Sequence, residues 1–108
     1  MEEKSLLLNL TGDMPMFKII DFLLDNKGMD FSKSDIAKGA EISRASLFNY
    51  WSEIEKHGIA KVTRSFGKTK LYTLNIKNPI THKILELEKT LIAEAMSKVK
   101  RKELVVEN

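Results

Sequence analysis

The stretch DIAKGAEISRASLFNYWSEIEKHGIA, residues 35–60, decides the fold of this chain. Just before it, Ser32 and Asp35 are spaced as a helix-capping pair, so a short helix starts after Ser32. The apolar stripe of that helix consists of Ile36, Ala37 and Ala40. The tripeptide Ala-Glu-Ile at residues 40–42 then predicts a tight turn, after which Ser43 caps a second helix. The pattern therefore predicts a helix-turn-helix unit.

The second helix of this unit runs from Ser43 to about His57, where Gly58 ends it. Its core face, with apolar residues at helical spacing, is Leu47, Tyr50, Trp51 and Ile54. The opposite face carries Arg44, Ala45, Phe48, Asn49, Ser52 and Glu53, with Ser46 at the border. Trp51 is expected to anchor the core rather than to stack on a base.

The outward face of this helix suits a DNA groove. Arginine pairs with guanine and asparagine with adenine, while alanine and phenylalanine reach the methyl group of thymine. Serines near a helix N-terminus donate hydrogen bonds to phosphate. We predict DNA contacts from Ser43, Arg44, Ala45, Ser46, Phe48, Asn49 and Ser52. If this face does not bind DNA, Asn49 and Ser52 are ordinary solvated residues, and Phe48 is buried against another subunit.

A basic hairpin follows the second helix. Strands are predicted near Ala60–Phe66 and Lys70–Ile76, joined by residues 67–69. No acidic residue occurs from residue 58 to 79, a stretch with five positive charges: Lys61, Arg64, Lys68, Lys70 and Lys77. We predict that Arg64, Lys68 and Lys70 contact a phosphate backbone or a minor groove. Lysines also protect an exposed strand edge from aggregation. The predicted core-facing positions are Val62, Phe66, Tyr72, Leu74 and Ile76.

The remaining segments frame this unit. Residues 1–12 form an N-terminal arm whose leucines fit a strand and a helix equally well. Residues 13–78 form the main domain, whose first helix is predicted from Met14 to Lys27 with Asp13 as its N-cap. Residues 79–102 form a last helix, and residues 103–108 a tail. Residues 29–31 could add a short strand to the hairpin.

The last helix has a broad apolar face. One stripe is Ile80, Ile84, Leu87, Leu91 and Ala95, and the adjacent one is Leu85, Ile92, Met96 and Val99. Together they cover more of the circumference than one small core needs. We expect the first stripe to pack on the domain and Leu85, Ile92, Met96 and Val99 to form a homodimer interface; the reverse arrangement fits the pattern as well. The alternative is a monomer with a well-buried C-terminal helix.

Composition excludes several other functions. The chain of 108 residues has a net charge of +3, no cysteine and two histidines. We therefore expect no disulfide, no cofactor and no metal site of ordinary ligand spacing. No nucleophile–base pair or phosphate-binding loop is present, so we expect no enzyme. No apolar run is long enough to span a membrane, and we expect a cytoplasmic, nucleoid-associated protein.

Two longer motifs resemble known proteins. IAKGAEISRASLFNYWSEIEKHGI resembles the helix-turn-helix of MarR- and ArsR-type winged-helix transcriptional regulators, although Glu41 stands where these usually have glycine. LYTLNIKNPITHKILELEK is similar to the strand and last helix of small archaeal regulators. The resemblance implies a mainly α, α+β fold with a three-helix core, a β-hairpin wing and a long C-terminal helix. It implies dimeric DNA binders with contacts from the helix residues Ser43, Arg44, Ser46, Phe48 and Asn49 and from the wing residues Arg64, Lys68 and Lys70.

Two hypotheses of function follow. The first is a sequence-specific regulator of double-stranded DNA, a repressor that occupies a promoter. The second is a winged-helix adaptor that binds protein, as in transcription or plasmid-partition assemblies. The salt dependence of binding distinguishes the two hypotheses, because phosphate contacts weaken steeply as salt rises.

Overall fold

The computed structural model describes the backbone of residues 5–107 and the side chains of residues 5–101. Five helices and one hairpin follow in the order α1 (Leu6–Thr11), α2 (Pro15–Asp25), α3 (Lys33–Gly39), α4 (Arg44–Lys56), β1 (Ala60–Phe66), β2 (Thr69–Leu74) and α5 (Pro79–Glu107). Residues 1–4 of the predicted arm lie outside the described residues. The helix α5 continues through most of the predicted tail, so residue 102 is not a helix end.

The undecided N-terminal segment is a helix. Ser5 caps α1, because its Oγ accepts a hydrogen bond from the backbone N–H of Leu8 at 3.1 Å. Leu7 is buried in the core, and α1 packs against both α2 and α5. Residues 5–12 of the predicted arm are therefore part of the domain rather than an extension from it.

The boundaries of α2 differ from the prediction. Asp13 was expected to be the N-cap, but Met14 holds that position and makes no side-chain cap hydrogen bond. Pro15 is the first helical residue, and its fixed φ suits a helix start without a cap. The helix ends at Asp25, two residues before the predicted Lys27.

The helix-turn-helix forms as predicted. The backbone N–H of Asp35 donates to Ser32 Oγ at 3.2 Å, and that of Ser46 donates to Ser43 Oγ at 3.0 Å. Glu41, in the turn, has a φ of +59°, so it adopts the left-handed conformation that glycine usually supplies. The turn therefore has the backbone geometry expected of a helix-turn-helix, although Glu41 stands where glycine is usual.

One core lies between the helices and the inner face of the hairpin. Three of the four predicted core residues of α4 are buried, and Tyr50 is half-buried. The rings of Trp51 and Tyr72 meet edge to face, with their centroids 4.9 Å apart. This contact joins α4 to β2 and fixes where the hairpin stands relative to α4.

The hairpin contains an irregularity that the sequence pattern did not predict. Val62 pairs with Tyr72 and Arg64 pairs with Leu71, so Thr63 is an extra residue in β1. Because side chains alternate along a strand, this bulge moves Arg64 and Phe66 to the outer face. Leu71 pairs with Arg64 and lies on the same outer face, opposite to its neighbour Tyr72.

Three of the five predicted core positions in the hairpin are wrong. Tyr72 and Leu74 are buried, but Val62, Phe66 and Ile76 are exposed. Phe66 is moved outward by the bulge, and Ile76 lies beyond the end of β2. The short strand expected at residues 29–31 is a single bridge, in which Phe31 and Tyr72 exchange two hydrogen bonds of 2.8 Å.

Asn78 ties the end of α4 to the start of α5. Its Oδ1 accepts hydrogen bonds from the backbone N–H groups of Ile80 and Thr81, at 2.9 and 3.1 Å. Its Nδ2 donates to the carbonyl of His57 at 2.9 Å. One side chain therefore caps α5 and links its start to the end of α4.

Candidate nucleic-acid interface

The outward face of α4 is open to solvent. Among the residues predicted to contact DNA, Ser43, Arg44, Ala45, Phe48, Asn49 and Ser52 are exposed, and Ser46 is half-buried. Phe48 is 54% exposed, which is unusual for a large aromatic side chain. The face therefore offers charged, amide, hydroxyl and aromatic groups side by side along about three turns of helix.

A cleft brings the start of α4 together with the hairpin. It has a volume of about 370 Å³ and is lined by Ser32, Lys33, Ser34, Arg44, Lys68, Thr69, Lys70 and Tyr72. Arg44 and the two wing lysines thus share one concave surface, although more than twenty residues separate them in sequence. No carboxylate is among the described residues that line the cleft. The surface is complementary to a polyanion.

Lys33 is the residue that sequence reasoning missed. Its Nζ lies 5.5, 5.8 and 5.7 Å from the ring centroids of Phe48, Trp51 and Tyr72. Each distance is within the range of a cation–π interaction, so the three rings hold the ammonium group in the cleft. Its position directly after the Ser32 cap was the only signal in the sequence.

Arg64 does not line this cleft. Its Nε donates to Asp30 Oδ2 at 3.0 Å and its guanidinium makes a second bond to Oδ1 at 3.1 Å. Thr63, the bulged residue, donates to the same carboxylate at 2.6 Å. These hydrogen bonds lower the pKa of Asp30, the one to Arg64 first. Arg64 also lies over the ring of Phe66, on the outer face of the hairpin.

The structure therefore divides the predicted wing residues into two groups. Lys68 and Lys70 line the cleft beside Arg44, whereas Arg64 lines a separate cavity with Asp30. The bulge at Thr63 causes the separation, because it changes the side of the hairpin on which Arg64 lies.

The predicted dimer face of α5 is also partly open. Ile92, Met96 and Val99 are exposed, and Met96 is 63% exposed. Leu85 is half-buried and packs against the core of its own domain. None of the helices in the described residues is long and apolar enough to cross a membrane.

No protein-family model and no curated protein sequence matches this chain. Solved structures do. The transcriptional regulator PA4135 is similar with a TM-score of 0.61 at 15% identity, over 88% of this chain and 68% of that one. Sso10a-2, a DNA-binding protein from Sulfolobus solfataricus, gives 0.52 at 22% identity, over 82% and 93%.

A MarR family transcriptional regulator from Silicibacter pomeroyi DSS-3, SPO1453, is a third similar structure. It gives a TM-score of 0.51 at 15% identity, over 87% of this chain and 62% of that one. All three likenesses are below 25% identity and concern the fold. The chain has the winged helix-turn-helix fold of the MarR-type transcriptional regulators.

Proposed function

We propose that this protein binds double-stranded DNA with sequence specificity, as a homodimeric transcriptional repressor. In this proposal α4 enters the major groove, and the wing lies on the neighbouring backbone or in the minor groove. The single observation that supports it best is the shared cleft, in which Arg44 of α4 lies beside Lys68 and Lys70 of the wing. One duplex is then gripped by both elements at once.

The contacts divide by role. Lys33, Lys68 and Lys70 are point charges near the cleft, and we assign them to phosphates, which position the protein without reading sequence. Arg44 and Asn49 are exposed on the outward face of α4, and we assign them to base edges. Ala45, Phe48 and Ser52 lie on the same face and complete the contact, with Phe48 against a thymine methyl group.

Ser43 and Ser46 flank the first turn of α4. The Ser43 Oγ already accepts the hydrogen bond from the N–H of Ser46, so its own hydroxyl proton remains available to a phosphate oxygen. Phosphate is also favoured there by the free N–H groups of a thirteen-residue helix. Arg64 joins the phosphate contacts only after it leaves Asp30.

The dimer in this proposal forms through α5. With 29 residues the helix is about 43 Å long, and Ile92, Met96 and Val99 are exposed along one side of it. Burial of such a stripe against the same stripe of a second copy gives a two-fold axis. Two recognition helices related by that axis match a palindromic site. Leu85 contributes only the part of its surface that its own core leaves uncovered.

A selection from random duplexes tests the proposal. The wild type is expected to enrich a palindromic site, and Asn49→Ala is expected to lose base preference at one position in each half-site, by about 1–3 kcal/mol. Ser97→Ala, an exposed change on α5, serves as the matched control. Enrichment of no sequence, together with capture of a protein partner by the α4 face, would favour the adaptor function instead.

A further inference from the structure

Two carboxylates of α2 and one of α5 lie close together. One carboxylate oxygen each from Asp21, Asp25 and Glu88 lies within 4.8 Å of the other two. Asp21 and Asp25 are one turn apart on α2, and Glu88 comes from α5, more than sixty residues later. Like charges at this separation repel each other, so the cluster needs a compensating positive charge or a proton.

One carboxylate oxygen of Asp21 lacks such a compensating group in the part of the chain that the structure describes. Asp21 is only 8% exposed, and its Oδ1 is fully buried with no hydrogen-bond partner among the described residues. A buried carboxylate oxygen without a donor is costly and rare in folded proteins. The proposed DNA interface makes no use of this group, which lies on a different helix.

The pKa values of the other two carboxyl groups, Asp25 and Glu88, are raised. Burial raises the pKa of Asp25, and the charge of Asp21 raises it further. The pKa of Glu88 is raised by burial first, and by the charges of Asp25 and Asp21. Lys27 is close enough to oppose both effects, but it does not supply a donor to the buried oxygen of Asp21.

We propose that Asp21, Asp25 and Glu88 bind one hard divalent cation of the Mn²⁺, Mg²⁺ or Ca²⁺ class. Three carboxylate oxygens without nitrogen or sulfur are the donor set that these ions prefer. At a metal–oxygen distance of about 2.1 Å, neighbouring ligands of a six-coordinate ion lie about 3 Å apart. The separation of up to 4.8 Å therefore closes by side-chain rotation around the ion, and water fills the other positions.

An open cavity gives the ion a way in. It has a volume of about 470 Å³, lies between α1, α2 and the α3–α4 turn, and includes Asp21 and Asp25 in its lining. Asp13, Lys18 and Glu41 line it as well, so four carboxylates and one ammonium group surround the approach to the cluster. Asp21 and Asp25 are therefore the ligands that an ion entering through this cavity meets first, and Glu88 is not part of its lining.

A bound cation would join two parts of the fold. Asp21 and Asp25 belong to the helical core, and Glu88 belongs to the long C-terminal helix. An ion held by all three therefore stabilises the docking of α5 on the domain, and its binding to the folded chain raises the melting temperature.

Titration of the metal-free full chain with MnCl₂ tests the site, followed by calorimetry and by the electron paramagnetic resonance of free Mn²⁺. We expect one ion per chain and a higher melting temperature with Mn²⁺, with Mg²⁺ and Ca²⁺ competing. Asp21→Asn and Glu88→Gln keep side-chain shape, and each is expected to weaken binding more than about ten-fold. Glu86→Gln, an exposed carboxylate on the same helix, is the matched control and is expected to bind as the wild type does.

Three results would overturn the site. One is the absence of a saturable Mn²⁺ response at millimolar concentrations. Another is an equal loss of affinity in Glu86→Gln, which would indicate diffuse attraction to surface acids. The third is unchanged Mn²⁺ binding in Asp21→Asn. If Asp21→Asn instead raises the melting temperature without metal and no variant binds Mn²⁺, the cluster shares a proton. Each measurement is independent of DNA binding.

Discussion

The wing lysines offer the sharpest test of the proposed DNA interface. In the double variant Lys68→Ala/Lys70→Ala, two cations that line the cleft are removed from each chain while the core stays intact, because both side chains are exposed. We expect weaker binding to every duplex sequence, with a shallower dependence on salt. The reason is that each phosphate contact releases counterions from DNA when it forms.

The size of the effect follows from the number of cations. If Lys33, Lys68 and Lys70 each contact one phosphate, a dimer makes about six contacts, and the log–log slope against salt is about −5.4 at −0.9 per contact. Between about 50 and 200 mM salt the wild type then loses about 1,800-fold in affinity. The double variant keeps about two contacts, a slope of about −1.8, and a loss of about 12-fold.

Fluorescence anisotropy with a labelled duplex, at four or five KCl concentrations, measures both slopes. Lys83→Ala/Lys89→Ala removes the same charge from exposed positions on α5 and is the matched control. An unchanged slope in the wing variant would refute the assignment of Lys68 and Lys70 to phosphates. So would an equal reduction in the control, since the effect would then depend on net charge alone.

Three further predictions follow from single residues. Glu41→Gly relieves a left-handed φ of +59° and is expected to stabilise the fold by up to about 1 kcal/mol in urea unfolding, since relief of strain exceeds the added chain entropy; a loss of stability would contradict this. If the proposed dimer forms through α5, Met96→Glu is expected to convert it to a monomer in sedimentation, whereas Ser97→Glu, about 100° further round the helix, is not. The Asp30 carboxyl is expected to titrate below its ordinary value of 3.8 by NMR, and Arg64→Gln should return it towards that value. Because the folded pKa is lowered, the ion pair adds stability above the unfolded pKa and loses it as pH falls through the folded one. A normal pKa in the wild type would show that the pair does not persist in solution.

Local chemistry made the helix-turn-helix predictable. The caps at Ser32 and Ser43 need only a hydroxyl and an N–H three residues later, and both bonds form. The buried face of α4 follows from helical spacing, with Trp51 as its anchor. Where local signals were weak, the prediction failed. Asp13 is a better cap than Met14 in isolation. Pro15 is nevertheless the first helical residue, which places Met14 at the cap position.

The strands were harder because one inserted residue reverses every later side chain. Alternation alone placed Phe66 inside, but the bulge at Thr63 turns it outward to 59% exposure. The same insertion separates Arg64 from Lys68 and Lys70. Nothing in the run from Ala60 to Phe66 marks the bulge, since it is stabilised by the hydrogen bonds of Thr63 and Arg64 to Asp30, more than thirty residues earlier.

The order of residues alone determined α3 and α4 with their caps, the basic hairpin and the face of α4 that is left outside, because these depend on neighbours within one or two turns. Only the tertiary structure decided which charges share a surface. Lys33 among three rings, Arg44 beside the wing lysines, and Asp21 with Asp25 facing Glu88 all join residues that are distant along the chain. These contacts between distant residues depend on how the helices and the hairpin pack around one core. No short-range sequence pattern encodes that packing.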